Sequence, residues 1–175
     1  MIRAVFPGTF DPIHFGHIDI ARRAVRFVDE LIIAVYDKPP KNVLFTAEQR
    51  QKLADEAFED DDRIVTRVFS GLIVEYCQEV GSELIVRGLR VFSDFEHEFR
   101  MALTNHRLNP NVDVVAFITS EEHSFLTGST VKEVASLGGD VSGFVPPHVE
   151  KAMKIRFDEL GEDGPDVVPM TSLRD

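Results

Sequence analysis

The chain has 175 residues, 43% of them hydrophobic and 28% charged, with a formal net charge of −11. That length predicts one domain burying about two-thirds of its unfolded surface, and no run approaches the ~20 apolar residues of a membrane span. The acidic balance argues against nucleic acid as a partner, because neutralising a phosphate backbone needs a basic face; a small anion in a locally positive site remains open.

A single cysteine, Cys77, excludes an internal disulfide and a cysteine-based zinc site. Its apolar surroundings read as those of a buried structural thiol. The chain starts on an apolar run without a basic-then-apolar leader, so the expected compartment is the cytoplasm.

Ile2 to Phe6 reads as a first strand, and the apolar positions Ile18, Ala21, Ala24, Val25 and Val28 read as the helix after it. Between them lies Pro7-Gly8-Thr9-Phe10-Asp11-Pro12-Ile13-His14-Phe15-Gly16-His17. In a parallel sheet this turn falls at the carboxyl edge, where a helix N-terminus presents amides and a positive dipole end to an anion. Gly8 and Gly16 permit close backbone approach and positive φ, and Pro7 and Pro12 stiffen the turn. A histidine pair three residues apart is by itself more often an ordinary surface pair than a site.

Leu31 to Val35 is a second, fully buried strand, followed by a loop carrying Lys38 and Lys41. Thr46 and Gln49 have capping-box spacing and open a helix with Leu53, Ala54, Ala57 and Phe58 on its apolar face. The acidic run Glu59 to Asp62 reads as a solvated loop, since consecutive carboxylates diverge. A third strand (Ile64 to Phe69), a helix (Leu72 to Val80) and a fourth strand (Glu83 to Val86) follow, the last ending in Arg87-Gly88-Leu89-Arg90.

The next helix carries Phe95, Phe99, Ala102 and Leu103 on one face. A fifth strand, Val112 to Ile118, runs into a hydroxyl-rich segment in which Thr130 and Glu133 have capping-box spacing. Pro146-Pro147 open a last helix near His148 to Glu159. The expected domain is residues 1–160; the polar tail 161–175 has no apolar period and reads as disordered. Five alternations of strand and helix imply an α/β, Rossmann-like single domain: a five-stranded parallel sheet with helices on both faces.

Residues 7–17, 87–90 and 119–130, with the Lys38–Lys41 loop, all end strands on one edge and can converge on a phosphate-binding crevice. Arginines flanking a glycine suit bidentate phosphate contact, although a solvated strand end is an equally ordinary reading. The hydroxyl series alone is helix-capping chemistry. Without further information Glu98 reads as the solvent face of its helix.

The element His14-Phe15-Gly16-His17, preceded by Pro7-Gly8-Thr9-Phe10-Asp11-Pro12, resembles the H-x-G-H signature of the nucleotidyltransferase superfamily that class I aminoacyl-tRNA synthetases share. The set P-G-T-F-D-P-I-x-x-G-H-I-D-I, R-G-L-R, D-F-E-x-E (Asp94 to Glu98) and S-F-x-x-x-S-x-V-K-E (Ser124 to Glu133) is similar, in order and spacing, to the bacterial phosphopantetheine adenylyltransferases. The resemblance covers roughly residues 2–158. It implies transfer of AMP from ATP to 4′-phosphopantetheine, giving dephospho-coenzyme A and pyrophosphate. It also implies Mg²⁺ entering with ATP, and a homohexamer.

In that resemblance Thr9 positions the phosphopantetheine phosphate and, with Phe10, touches ATP. His17 stabilises the pentavalent phosphorus of the transition state. Lys41 and Arg87 hold phosphopantetheine, and Ile73 meets its pantetheine arm through backbone groups. Gly88, Leu89, Arg90 and Glu98 bind ATP, as do His123, Ser124, Phe125, Leu126, Thr127, Gly128 and Ser129. Three positions depart from the family pattern: His14 stands where threonine is common, His123 replaces an aromatic, and Gly128 interrupts a serine series. The alternatives are a transferase of the same superfamily acting on nicotinamide mononucleotide or a phosphorylated alcohol, and a non-catalytic nucleotide sensor, which could dispense with His17.

Overall fold

The computed structural model describes residues 1–39 and 42–161. Its elements alternate as β1 (Arg3–Gly8), α1 (Phe15–Ala24), β2 (Glu30–Tyr36), α2 (Ala47–Ala57), β3 (Ile64–Phe69), α3 (Ile73–Val80), β4 (Leu84–Leu89), α4 (Phe92–Leu108), β5 (Asp113–Ile118), α5 (Gly128–Ser136) and α6 (Pro147–Leu160). The sheet is parallel throughout, in the order β3-β2-β1-β4-β5. The chain therefore builds outward from β1 to β3, then crosses back to add β4 on the other side of β1. That reversal opens a crevice at the carboxyl ends of β1 and β4, the place where open α/β sheets bind ligands.

Strand alternation explains how both faces are covered. Ala4, Phe6, Leu31, Ile33 and Val35 point to one face and pack with Ile20 and Ala24 of α1, Leu53 of α2, Val131 of α5 and Met153 of α6. Val5, Ile32, Ala34 and Ile85 point to the other and pack with Val74, Cys77 and Val80 of α3. Cys77 is the buried thiol expected, and burial pushes its pKa up to about 11.

Several local expectations are corrected. The first helix stops at Ala24, because Val25 turns into the core as its cap. The fourth strand continues through Leu89, paired with β5 as far as Ile118, so Arg87 lies within a strand rather than in a loop. Likewise Pro7 lies inside β1, opposite Ala34. The α5 cap is Thr127, whose hydroxyl accepts the Thr130 amide at 3.0 Å, three residues earlier than the Thr130–Glu133 spacing suggests.

The fourth helix carries its apolar residues on one face, as expected. Its apolar face is not buried within the chain: Phe95, Phe99 and Leu103 are 51%, 53% and 58% exposed. The neighbouring edge strand β5 is also open, with Val115 and Ile118 exposed. Of the proposed tail only Gly161 is described, as the residue closing α6; residues 162–175 lie outside the described residues.

Candidate active site

A cleft of about 530 Å³ occupies the β1–β4 crevice. Thr9, Phe10, His14, His17, Arg87, Gly88, Arg90, Glu98, His123 and Leu126–Ser129 all line it, so three segments far apart in sequence meet there. A larger cavity, about 710 Å³, lies at the opposite edge around Arg3, Ser82 and Asn109, and holds none of the motif residues. Lys41 lies outside the described residues. Ile73 begins α3, away from the walls of this cleft. Leu89 is not among the lining residues; its carbonyl accepts the amide of Thr119, which is, at 2.8 Å.

The loop after β1 is built around Phe10. Its ring is buried, edge-on to Phe6 at 5.5 Å and to His17 at 4.9 Å between centroids. The left-handed φ of +50° falls on Phe10 itself rather than on the glycines of the turn. Gly8 is needed for close approach instead, since a Cβ there would sit 2.9 Å from the Phe10 ring. Phe10 lines the cleft and its ring packs against His17.

His14 is buried and stacks on His17 with centroids 3.6 Å apart. Burial first, then the Arg90 charge and His123, pulls the His14 pKa down to about 3, so the ring is neutral at physiological pH. Its backbone N–H donates to Nδ1 of His17 at 3.3 Å. A ring that accepts at Nδ1 carries its proton on Nε2 when neutral, which makes Nε2 a hydrogen-bond donor.

Two arginines are held by carboxylates. Arg87 donates from Nε and Nη2 to both Glu98 oxygens, at 2.7 and 2.5 Å, and from Nη1 to the Pro7 carbonyl at 3.0 Å. Arg90 donates to Asp94 through Nε (3.0 Å) and Nη2 (3.2 Å) and to the Leu126 carbonyl through Nη1 at 3.2 Å. Glu98 is therefore not the solvent-facing residue the bare sequence suggests: it lines the cleft and fixes the plane of the Arg87 fork. Arg90 joins β4 to the loop before α5.

At α5, Gly128 and Ser129 are the first helical residues, whose amides have no intrahelical acceptor and face the cleft end of the helix dipole. Gly128 packs so closely that a Cβ would lie 2.9 Å from the Asp11 carbonyl oxygen, which accounts for glycine in the hydroxyl series. His123 stacks on Phe15 at 6.2 Å. Phe125 is exposed and meets Phe144 edge-on, and the Ser124 hydroxyl donates to the Glu121 carbonyl at 2.9 Å. Among the described residues, no group of three or more His, Cys, Asp or Glu side chains is placed to hold a metal ion.

Two supporting residues escaped the sequence reading. Arg50, wholly buried on α2, donates to the carbonyls of Phe45, Thr9, Tyr36 and Asp37 at 2.7–3.2 Å. Lys132, buried on α5, pairs with Asp11 at 2.7 Å. The signal for Arg50 was present: it stands three, four and seven residues before Leu53, Ala54 and Ala57, on the stripe the helix buries.

A strand-edge cleft with an H-x-G-H helix entrance, two oriented arginines and a second helix N-terminus defines a nucleotidyltransferase-type site, and the cytidylyltransferase-like family model matches residues 5–134. Proteins named phosphopantetheine adenylyltransferase from Thermomicrobium roseum (47% identical over 90% of this chain and 96% of its own length) and Herpetosiphon aurantiacus (47%, covering 88% and 93%) are similar throughout. The chain belongs to the phosphopantetheine adenylyltransferase family. The fold is also that of a bifunctional NMN adenylyltransferase/ADP ribose pyrophosphatase from Francisella tularensis, crystallised with AMP and a Mn ion (TM-score 0.68, 14% identity, 95% of this chain and 52% of that one).

Proposed function

We propose that the protein transfers AMP from ATP to 4′-phosphopantetheine, forming dephospho-coenzyme A and releasing pyrophosphate. The observation that carries this reading is the convergence of Thr9, His17, Arg87, Arg90 and the head of α5 on one cleft, together with relatives of that name along nearly the whole chain.

The acceptor phosphate is already an anionic nucleophile, so no general base is required. An acceptor oxygen forms a bond to the α-phosphorus while the bond to the bridging oxygen of pyrophosphate breaks on the opposite side. The obstacle is bringing the anions together and stabilising charge on the α-phosphoryl group. The Nε2–H of His17 donates to a non-bridging α-oxygen, strengthening as charge develops there. Arg90 and the α5 amides of Gly128 and Ser129 hold the triphosphate; Thr9, Arg87 and Lys41 hold the acceptor phosphate, and Ile73 its pantetheine arm. His123 and Leu126 border the nucleoside. Glu98 acts through Arg87.

Magnesium enters as part of the nucleotide substrate. The cleft carboxylates Asp11, Asp94 and Glu98 are each engaged by a cation of the chain, so its ligands are phosphate oxygens and water. The same reading places the enzyme in the cytoplasm, where ATP is supplied. No helix among the described residues is long and apolar enough to cross a membrane.

The open face of α4 and β5 supports self-association. Phe92, Phe95 and Phe99 stack along α4 at centroid distances of 6.3 and 5.9 Å while exposed, a contiguous apolar surface of the kind a second copy covers. We assign this face to the homohexamer implied by the family resemblance; light scattering on a Phe95→Glu variant tests it, with loss of the hexamer expected and an unchanged hexamer removing the assignment.

The decisive test of function is pyrophosphate release from ATP with 4′-phosphopantetheine, compared with nicotinamide mononucleotide and glycerol 3-phosphate. The reading requires release with the first alone; preference for either of the others favours the alternative transferase.

A further inference from the structure

The carboxylate of Asp11 is the meeting point of three segments. It accepts the amides of Leu44 (3.1 and 2.9 Å) and Phe45 (3.0 Å), the residues that lead into α2, and it pairs with Lys132 Nζ at 2.7 Å. The Asp11 and Lys132 side chains are only 2% and 3% exposed, at the floor of the cleft. On α5, Lys132 lies one turn beyond Gly128, and Gly128 presses on the Asp11 carbonyl. One residue of the β1 loop is thus gripped twice by the same face of α5.

A buried ion pair is weak evidence for stability, since apolar side chains of similar volume often serve as well. What apolar packing would not supply is a fixed register between the two banks of the cleft. One bank is the β1 loop with Thr9 and His17; the other is the head of α5. We propose that Asp11 and Lys132 form a positioning strut that holds the Gly128 and Ser129 amides in reach of the phosphates oriented by the opposite bank, and that Lys132 acts on catalysis through Asp11 rather than by touching ligand. This rests on the adenylyl-transfer reading. A displacement of the α5 head by about 1 Å lowers turnover on the order of 10²-fold, while the acceptor side, held by Arg87, keeps its affinity.

The test compares Lys132→Met, Asp11→Asn and the double variant by kcat, by KM for each substrate, and by melting temperature. Asparagine keeps an oxygen for the Leu44 and Phe45 amides, so it removes the charge pair and leaves that anchor. Lys132→Met is expected to lower kcat on the order of 10²-fold with the KM for 4′-phosphopantetheine within about 3-fold of wild type. Adding Asp11→Asn to it should change kcat no further, because both substitutions break one connection. If Lys132→Met alone does not fold, the double variant, free of an unpaired buried charge, carries the same kcat expectation. A lowered melting temperature with unchanged kcat overturns the proposal by making the pair merely structural. Fully additive losses in kcat overturn it by giving Lys132 an action of its own on the ligand. Wild type assayed alongside separates the two levels: if it releases no pyrophosphate, adenylyl transfer itself fails, whereas an active wild type with either overturning result removes the strut alone.

Discussion

The backbone N–H of His14 donates to Nδ1 of His17 at 3.3 Å, while the two rings lie stacked 3.6 Å apart. The first histidine of the motif therefore orients the second, and it does so in the tautomer that leaves a donor at Nε2. Phe10 also packs edge-on against the His17 ring at 4.9 Å.

From this follows the expected behaviour of His17→Ala. Removing one donor that acts on transition-state charge lowers kcat on the order of 10²- to 10³-fold. ATP affinity, set mainly by Arg90 and the α5 head, should change by less than about 10-fold. Steady-state kinetics with a separate equilibrium titration of ATP distinguish the two; unchanged turnover removes the role assigned to His17.

His14 carries a pH signature. Its pKa falls from the ordinary 6.5 to about 3 on folding, so below pH 6.5 the unfolded chain binds a proton that the native state refuses. Stability is then lost as pH falls, by about 2 kcal/mol between pH 8 and pH 5 from this ring alone. Denaturant unfolding at a series of pH values should show that slope in wild type. It should be diminished in His14→Thr; an identical pH slope in the two proteins counts against the assignment.

Arg50 is expected to be the costliest single substitution outside the apolar core. Arg50→Met strands carbonyls at the ends of β1 and β2 that its guanidinium bridges, at a cost of about 3 kcal/mol or more. Arg50→Lys, lacking the fork, should recover less than half of that. Equilibrium unfolding midpoints decide it, and a change within about 0.5 kcal/mol for Arg50→Met contradicts the account.

These residues show how much the sequence disclosed. A parallel sheet with helices on both faces follows from the alternation of apolar runs with helices, and the meeting of residues 7–17, 87–90 and 119–130 follows from such a sheet having one carboxyl edge; the order β3-β2-β1-β4-β5 does not follow from that alternation. Pattern reading failed where a polar side chain occupies an apolar position. Arg50 interrupts its stripe because four carbonyls need a donor there. The Lys132–Asp11 pair spans 121 residues, which no local period encodes. On α4 the apolar face was legible but its covering was not: Phe95 and Phe99 repeat like a core face and yet point away from the chain's own core. Periodicity reports that a face is apolar, not what covers it.

Glu98 offers a test of indirect action. Because both its oxygens are engaged by Arg87, Glu98→Ala should raise the KM for 4′-phosphopantetheine in the same direction as Arg87→Ala, with a smaller effect on ATP. The double variant should be no worse than Arg87→Ala by more than about 3-fold. Additive losses, or a Glu98→Ala defect confined to ATP, would show that the carboxylate meets nucleotide directly.

The central claim is a single direct displacement at the α-phosphorus within one cleft, and its stereochemical course tests that most directly. With ATP made chiral at the α-phosphorus by sulfur substitution, the account predicts inversion of configuration in the product, as one in-line attack requires. Retention would mean two displacements through a covalent adenylyl-enzyme, and would contradict it.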